Sequence, residues 1–258
     1  MCTYIISDLH LSENKPEITL KFFNFIKQYI VYADNFYILG DFFDYWIGDD
    51  DTSLLHKEVA NHLKKLTLNG VHCYFIHGNR DFLIRNLYAK KCGMKILSQE
   101  TLLNIYNKRI LILHGDTLCT NDIKYQNYRK KICNKHLQNI FLKLPLFVRH
   151  IIAQKIRKNS KNTKIFKTKN ITDVNYDNVI NIFKKYQTQW IIHGHTHYPN
   201  IHKIYFDNKI HYRGVLSKWG EKSSAFVINK YGIKLFFFKY KNIFINYLVF
   251  LHIKIIQF

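Results

Sequence analysis

Short apolar runs recur along the chain, and each stops at a polar cluster. Tyr4-Ile5-Ile6 stops at Ser7-Asp8-Leu9-His10, and Phe36-Tyr37-Ile38-Leu39 stops at Gly40-Asp41. Cys73-Tyr74-Phe75-Ile76 runs into His77-Gly78-Asn79-Arg80-Asp81. Ile110-Leu111-Ile112-Leu113 runs into His114-Gly115-Asp116, and Trp190-Ile191-Ile192 into His193-Gly194-His195-Thr196-His197. Runs of about four β-branched and aromatic residues predict buried strands. Between them, Leu20, Phe23, Ile26 and Ile30 share one helical face. Leu54 to Leu68 is a second helical stretch, closed by Gly70, and Val179, Ile180, Phe183 and Tyr186 mark a third. Strands alternating with helices predict an α/β core. Beyond residue 200 the pattern shifts to short strands with turns at Asp207-Asn208 and Tyr231-Gly232, which predicts a further β-rich sheet.

Residues 122–170 break the alternation. They hold two helical patterns parted by Pro145, which cannot continue a helix, and then a Lys/Asn/Ser/Thr-rich stretch. The expected organisation is a core in two parts, 1–121 and 171–240, with a helical insertion at 122–170 that caps the strand ends. The tail 241–258 is an apolar extension interrupted by Asn246, His252 and Lys254. It reads either as an interfacial membrane anchor or as a neutral extension.

Composition narrows the class. A chain of 258 residues with 47% apolar content is neither disordered nor fibrous. Five cysteines without a CxxC pair fit a reducing compartment and free thiols. The start, Thr3-Tyr4-Ile5-Ile6 followed by Asp8, is not a signal-peptide pattern, and no run reaches the ~18 apolar residues of a membrane span. A net charge of +21 points to an anionic partner or to compositional drift toward lysine. No helix-turn-helix, zinc-finger or RNP-type pattern accompanies that charge, so nucleic acid is not the expected partner.

Each polar cluster sits at the C-terminal end of a predicted strand, the edge where open α/β sheets bind ligands. Together Asp8, His10, Asp41, Asn79, His114, His195 and His197 supply two carboxylates, one amide oxygen and four imidazoles. Seven ligands exceed one ion and suit two ions sharing a carboxylate, an arrangement that serves phosphoryl transfer. The mixed oxygen and nitrogen set favours Mn²⁺, Zn²⁺ or Fe²⁺ over Ca²⁺. His77, His193 and Asp44 are expected to support this set rather than join it. A solitary Asp-x-His or Gly-Asp carries little weight, since Gly-Asp at a strand end is often only a turn.

Asp8-x-His10, Gly40-Asp41-x-x-Asp44, Gly78-Asn79-Arg80-Asp81, His114-Gly115-Asp116 and Gly194-His195-Thr196-His197 together resemble the motifs of the calcineurin-like metallophosphoesterases. The resemblance implies an αββα sandwich of two mixed sheets flanked by helices. The usual family form is Gly-Asn-His-Asp/Glu, and Arg80 replaces that histidine here, so the histidine's catalytic role does not transfer. Tyr45-Trp46-Ile47-Gly48-Asp49-Asp50-Asp51, Ile76 to Leu83, His114 to Thr120, Leu144 to Arg149, Asn159-Ser160-Lys161 and Asp173-Val174-Asn175 resemble a narrower group, the bacterial UDP-2,3-diacylglucosamine pyrophosphatases. This resemblance spans roughly residues 1–240.

It implies hydrolysis of UDP-2,3-diacylglucosamine to 2,3-diacylglucosamine 1-phosphate (lipid X) and UMP, a step of lipid A biosynthesis. It further implies two Mn²⁺ ions that activate water for attack on the α-phosphorus, and a peripheral position on the cytoplasmic side of the inner membrane. One ion falls to Asp8, His10, Asp41 and His197, and the other to Asp41, Asn79, His114 and His195. Arg80, Asn79 and His195 take the catalytic positions. Substrate contacts fall on Asn79, Arg80, Asp122, Ser160, Lys164, Lys167 and His195, although at Lys164 the group commonly carries a smaller polar residue.

Leu137, Ile140, Phe141, Leu144, Leu146, Phe147, Ile151, Ile152 and Ile156 of the insertion are expected to pack it on the core, with part of this face lining a chamber for two acyl chains. Arg149, Lys155, Arg157, Lys158 and Lys161 are expected to face anionic headgroups. A monomer is expected. A phosphodiesterase of soluble nucleotides and a protein phosphatase are the competing readings.

Overall fold

The computed structural model describes residues 2–165, 173–220, 222–242 and 245–256; the side chains of 161–165 and 239–253 lie outside that description. Among the described residues, twelve strands form two mixed sheets. The first has β1 (Thr3–Ile6), β2 (Asn35–Ile38), β3 (His72–Phe75) and β4 (Lys95–Ile96) on one side. It continues on the other through β10 (Ser223–Asn229), β11 (Gly232–Asn242) and β12 (Ile245–Ile256), in the order β12-β11-β10-β1-β2-β3-β4. The second sheet runs β5-β6-β7-β9-β8, built from β5 (Glu100–Ile105), β6 (Lys108–Leu113), β7 (Trp190–His193), β8 (Asn200–Phe206) and β9 (Lys209–Val215).

The period of two along each strand sorts side chains into three cores. Ile5, Tyr37, Leu39, Ile110, Ile112, Trp190 and Ile192 meet between the sheets. Ile6, Phe36 and Ile38 face α1 (Pro16–Gln28), α2 (Leu54–Leu68) and α3 (Asn86–Cys92). Leu111, Leu113 and Ile191 face α7 (Tyr176–Tyr186). The layers therefore run helix, sheet, sheet, helix, as the motifs imply. Buried strands β1, β2, β3, β6 and β7 all lie where the apolar runs predict them.

Three features differ from the sequence pattern or go beyond it. First, α1 buries Ile18, Phe22, Phe25 and Ile26, while Leu20 is exposed. The stripe is set by ring packing: Phe22 lies edge-on to Phe42, and Phe25 stacks on Phe238 at 5.1 Å. Second, the described part of the insertion holds three helices, α4 (Ile123–Ile132), α5 (Lys135–Leu142) and α6 (Leu146–Ile165). Asn134 separates the first two by accepting hydrogen bonds from the backbone of His136 and Leu137, a standard N-cap. Third, the apolar extension carries a strand, β12. Its backbone pairs antiparallel with β11, with Ile256 opposite Ile233 and Leu248 opposite Tyr240. Among the described residues, no helix is long and apolar enough to cross a membrane.

Candidate metal centre and its cavity

The ends of β1, β2, β3, β6 and β7 bring the five polar clusters together. Close backbone approach makes this possible, and it explains the glycines. A Cβ on Gly40 would lie 2.3 Å from the Gly78 nitrogen, and one on Gly194 would lie 2.1 Å from Asp8 Oδ2. The backbone is also unusual here. Among the described non-glycine residues, Asp8, His10, Asp41, His195 and His197 all have φ between 50° and 64°. The others with positive φ sit in the Tyr106-Asn107 and Asp207-Asn208 hairpin turns or at the Gln187 helix end. Such strain outside turns and caps concentrates at functional sites.

Two groups of ligand atoms lie close together: Asp8, His10 and His197, and Asp8, Asp41 and His114. His197 Nε2 is 3.0 Å from Asp8 Oδ1. Asp8 Oδ2 accepts from Ser7 Oγ at 2.6 Å and from the His195 backbone N–H at 2.9 Å. His114 donates Nδ1–H to the Leu39 carbonyl at 2.8 Å, which turns Nε2 toward the site. That Nε2 lies 3.0 Å from Asn79 Oδ1 and 3.6 Å from Asp41 Oδ1. His195 Nδ1 lies 3.0 Å from the same Asn79 oxygen and 3.3 Å from His114 Nε2. All seven sequence-expected ligands thus share one centre.

The electrostatics are those of a cation site. Burial works against the charge of Asp8, but the neighbouring imidazoles of His197, His114 and His10 hold its carboxyl well below the usual range. Burial pushes Asp41 up, with His114 and Arg80 partly offsetting it. Burial and nearby cations hold His10 well below its ordinary value and bring His195 down to about 3, so both rings are neutral. His10 is buried with neither ring nitrogen hydrogen-bonded, and a buried neutral imidazole with two unsatisfied nitrogens calls for a further partner. A divalent cation fits the donor set: imidazole nitrogen, carboxylate and amide oxygen.

Supporting residues complete the frame. Asp81 accepts from the Gly78 N–H at 2.8 Å and the Phe42 N–H at 2.7 Å, clamping the loops that carry Asn79 and Asp41. Its place in the Gly-Asn-Arg-Asp motif was visible in the sequence, though this job was not. His77 bonds the Ile84 carbonyl, and His193 pairs with Arg213. Neither joins the ligand groups.

Beside the centre opens a cavity of about 840 Å³. Asn79, Arg80, Asp122, Ser160 and His195, five of the seven expected substrate contacts, all line it. Asp122 also caps α4 by accepting from the Tyr125 N–H at 3.1 Å. Lys167 lies outside the described residues, as does the side chain of Lys164. Leu137, Phe141, Ile152 and Ile156 from the insertion line it together with Trp46, Phe82 and Leu83 of the core.

Arginine–aspartate pairs fasten the insertion, and they overturn part of the headgroup expectation. Arg149 is buried; it donates to the Ile47 and Leu144 carbonyls and pairs with both oxygens of Asp50. Arg157 is largely buried against Asp44 at 2.6 and 3.1 Å. Neither faces outward, because each guanidinium is spent on a carboxylate of the core. Lys155 and Lys158 are exposed, and the side chain of Lys161 is outside the described residues. Asp116 anchors α4 by accepting from Tyr125 Oη at 2.7 Å and Arg129 Nε at 2.5 Å.

Comparison with known proteins matches residues 1–199 to the calcineurin-like phosphoesterase family model. The chain is 53% identical to the UDP-2,3-diacylglucosamine hydrolase of Proteus mirabilis over 240 residues, 93% of this chain and all of that one. It is 50% identical to the same-named protein of Photorhabdus laumondii and 45% to that of Escherichia coli O7:K1, with the same coverage. The chain belongs to the calcineurin-like phosphoesterase family, as a relative of the UDP-2,3-diacylglucosamine hydrolases.

Proposed function

We propose that this chain hydrolyses the pyrophosphate bond of UDP-2,3-diacylglucosamine, releasing UMP and 2,3-diacylglucosamine 1-phosphate (lipid X). One observation carries the reading: residues of the candidate metal centre share a cavity lined largely by apolar side chains. A soluble nucleotide has no use for Leu137, Phe141, Ile152 and Ile156, whereas acyl chains do. The names of the relatives support the same substrate.

Asp8, His10, Asp41 and His197 would hold one divalent cation, and Asp41, Asn79, His114 and His195 the other, with Mn²⁺ the expected metal. Two such ions would activate water and neutralise charge on the transferring phosphoryl group. The protein's own groups do the rest. Ser7 and the His195 amide fix the Asp8 carboxylate, and the Leu39 carbonyl fixes the tautomer and orientation of His114. Arg80 faces the cavity and would donate to the phosphoryl oxygens as charge grows during attack on the α-phosphorus. Neutral His195 is placed to meet the same group. Asp122 and Ser160 border the cavity where the rest of the substrate would lie.

A peripheral site of action on the cytoplasmic face of the inner membrane follows from such a substrate. Ile140, Phe147 and Ile151 of the insertion are exposed, and Lys155 and Lys158 lie near them in sequence. Apolar tips flanked by lysines suit an anionic lipid surface. Binding to vesicles that ignores anionic lipid content would refute the electrostatic part.

The test is hydrolysis of UDP-2,3-diacylglucosamine in detergent with Mn²⁺, with Asp41→Ala as the control. UMP and lipid X released by the wild type alone support the proposal. Turnover of UDP-glucose at a comparable rate would overturn it in favour of a soluble-nucleotide pyrophosphatase.

A further inference from the structure

We infer that Asp44 is a positioning residue for Arg80, giving its guanidinium a carboxylate of its own when a cation claims the shared carboxylate of Asp41, and tying it to the insertion. The mechanistic half of this rests on the reading above, in which Arg80 serves the phosphoryl group.

Arg80 is gripped at two points. Its Nε lies 3.1 Å from Asp41 Oδ2, an ion pair without the angle of a hydrogen bond. Its Nη1 donates to Asp44 Oδ1 at 2.7 Å. The two carboxylates are not equivalent. Asp41 sits within the ligand cluster, so a cation bound there competes directly with the guanidinium for the same oxygens. Asp44 belongs to neither ligand group and stays available to the arginine. With a cation in the centre, electrostatic repulsion would weaken the hold of Asp41 on the guanidinium, and Asp44 would be the anion that keeps it in the cavity.

Asp44 is held in turn by the insertion. Arg157 of α6 donates Nη2–H to Asp44 Oδ1 at 2.6 Å and Nε–H to Oδ2 at 3.1 Å, a forked contact with defined geometry. One carboxylate thereby receives two guanidinium groups, one from the loop after β3 and one from the capping helix. Both guanidinium groups donate to Asp44 Oδ1, and Arg157 alone also reaches Oδ2. The arrangement fixes the spacing between the arginine, the metal centre and the helix whose Ile152 and Ile156 line the cavity.

The experiment is a double-mutant cycle of Asp44→Asn with Arg80→Ala, read in two ways. The first readout is Mn²⁺ affinity by titration calorimetry, which needs no substrate. Asp44→Asn leaves Arg80 with Asp41 as its carboxylate partner, and the affinity is expected to fall about 3- to 10-fold. In the Arg80→Ala background the same substitution should change affinity less than about 2-fold, because no guanidinium remains to compete. The second readout is kcat and KM on the lipid substrate and on bis(p-nitrophenyl) phosphate. Asp44→Asn is expected to lower kcat at least about 10-fold with KM changed less than about 3-fold, and to cost little once Arg80 is gone. Equal costs in both backgrounds, or unchanged affinity in the folded Asp44→Asn protein, overturn the inference. Should Asp44→Asn prove poorly folded, Asp44→Glu, which keeps the charge, is expected to retain most of the metal affinity, and failure to do so also counts against it. Failure of the wild type on the lipid substrate would sink the substrate reading and leave the metal cycle to decide Asp44.

Discussion

Gly78→Ala offers the most direct check on how the centre is built. A methyl group on Gly78 would sit 2.3 Å from the Asp41 backbone nitrogen and 2.4 Å from Asp41 Oδ1. Both are fixed atoms. The Asp41 side chain is held by the Arg80 N–H to Asp41 Oδ1 bond, and its backbone by the His10 N–H to Asp41 carbonyl bond. The loops after β2 and β3 must therefore part by about 1 Å to restore normal contact. Asn79 is the next residue, and its Oδ1 sits 3.0 Å from both His114 and His195, so it moves out of the ligand cluster with the loop. A displacement of that size costs on the order of 100-fold in turnover when it misplaces reacting groups. The strain itself is on the order of 1–3 kcal/mol, the usual range for overpacking, so the protein should still fold. The assay pairs Mn²⁺ stoichiometry with kcat at saturating metal. The expected result is a folded protein with one weakened metal and at least about 100-fold lower kcat. Wild-type turnover in Gly78→Ala would refute the argument that this approach sets the ligand positions.

Two other perturbations follow from the same geometry. Arg149→Ala removes a buried guanidinium bonded to two carbonyls and to Asp50, whose own side chain is largely exposed and so adds little; a loss of about 2–4 kcal/mol is expected, visible as a lower Tm, and an unchanged Tm would show that the insertion is fastened elsewhere. In the chelated protein, burial disfavours the charged form of His114, yet the carboxylates of Asp41, Asp8 and Asp116 outweigh it and raise the group to about 9. Manganese must displace that proton, so apparent affinity should rise by up to about tenfold per pH unit from roughly 6.5 to 9 and then level off, and a flat titration profile would refute it.

Much of the site was legible because ligand chemistry and strand ends coincide in the sequence. Each of the seven ligands follows an apolar run within a few residues, and parallel strands carry their C-terminal ends to one edge. The rest depended on contacts between distant segments. Nothing near Arg149 or Arg157 announces that Asp50 and Asp44, about a hundred positions away, will hold them. Lysines and arginines of a basic insertion look alike until the fold assigns some of them partners. The choice of α1 face turned on aromatic packing against Trp219 and Phe238, which helical periodicity does not specify. The α4–α5 break was readable from Asn134 as a cap. The pairing of β12 was not, since its interrupted apolar pattern suits an interface or a strand equally well.

The left-handed backbone at Asp8, His10, Asp41, His195 and His197 has a consequence for how this chain changes over generations. Backbone strain at such positions amounts to about 1–3 kcal/mol each, and asparagine takes that region more readily than histidine. Replacing His195 or His197 with asparagine should therefore leave the fold as stable as before, or more so, while removing an imidazole from the centre. Selection for folding alone would let these histidines go. Stability and activity can therefore be separated by measuring both on the same asparagine variants of His195 and His197.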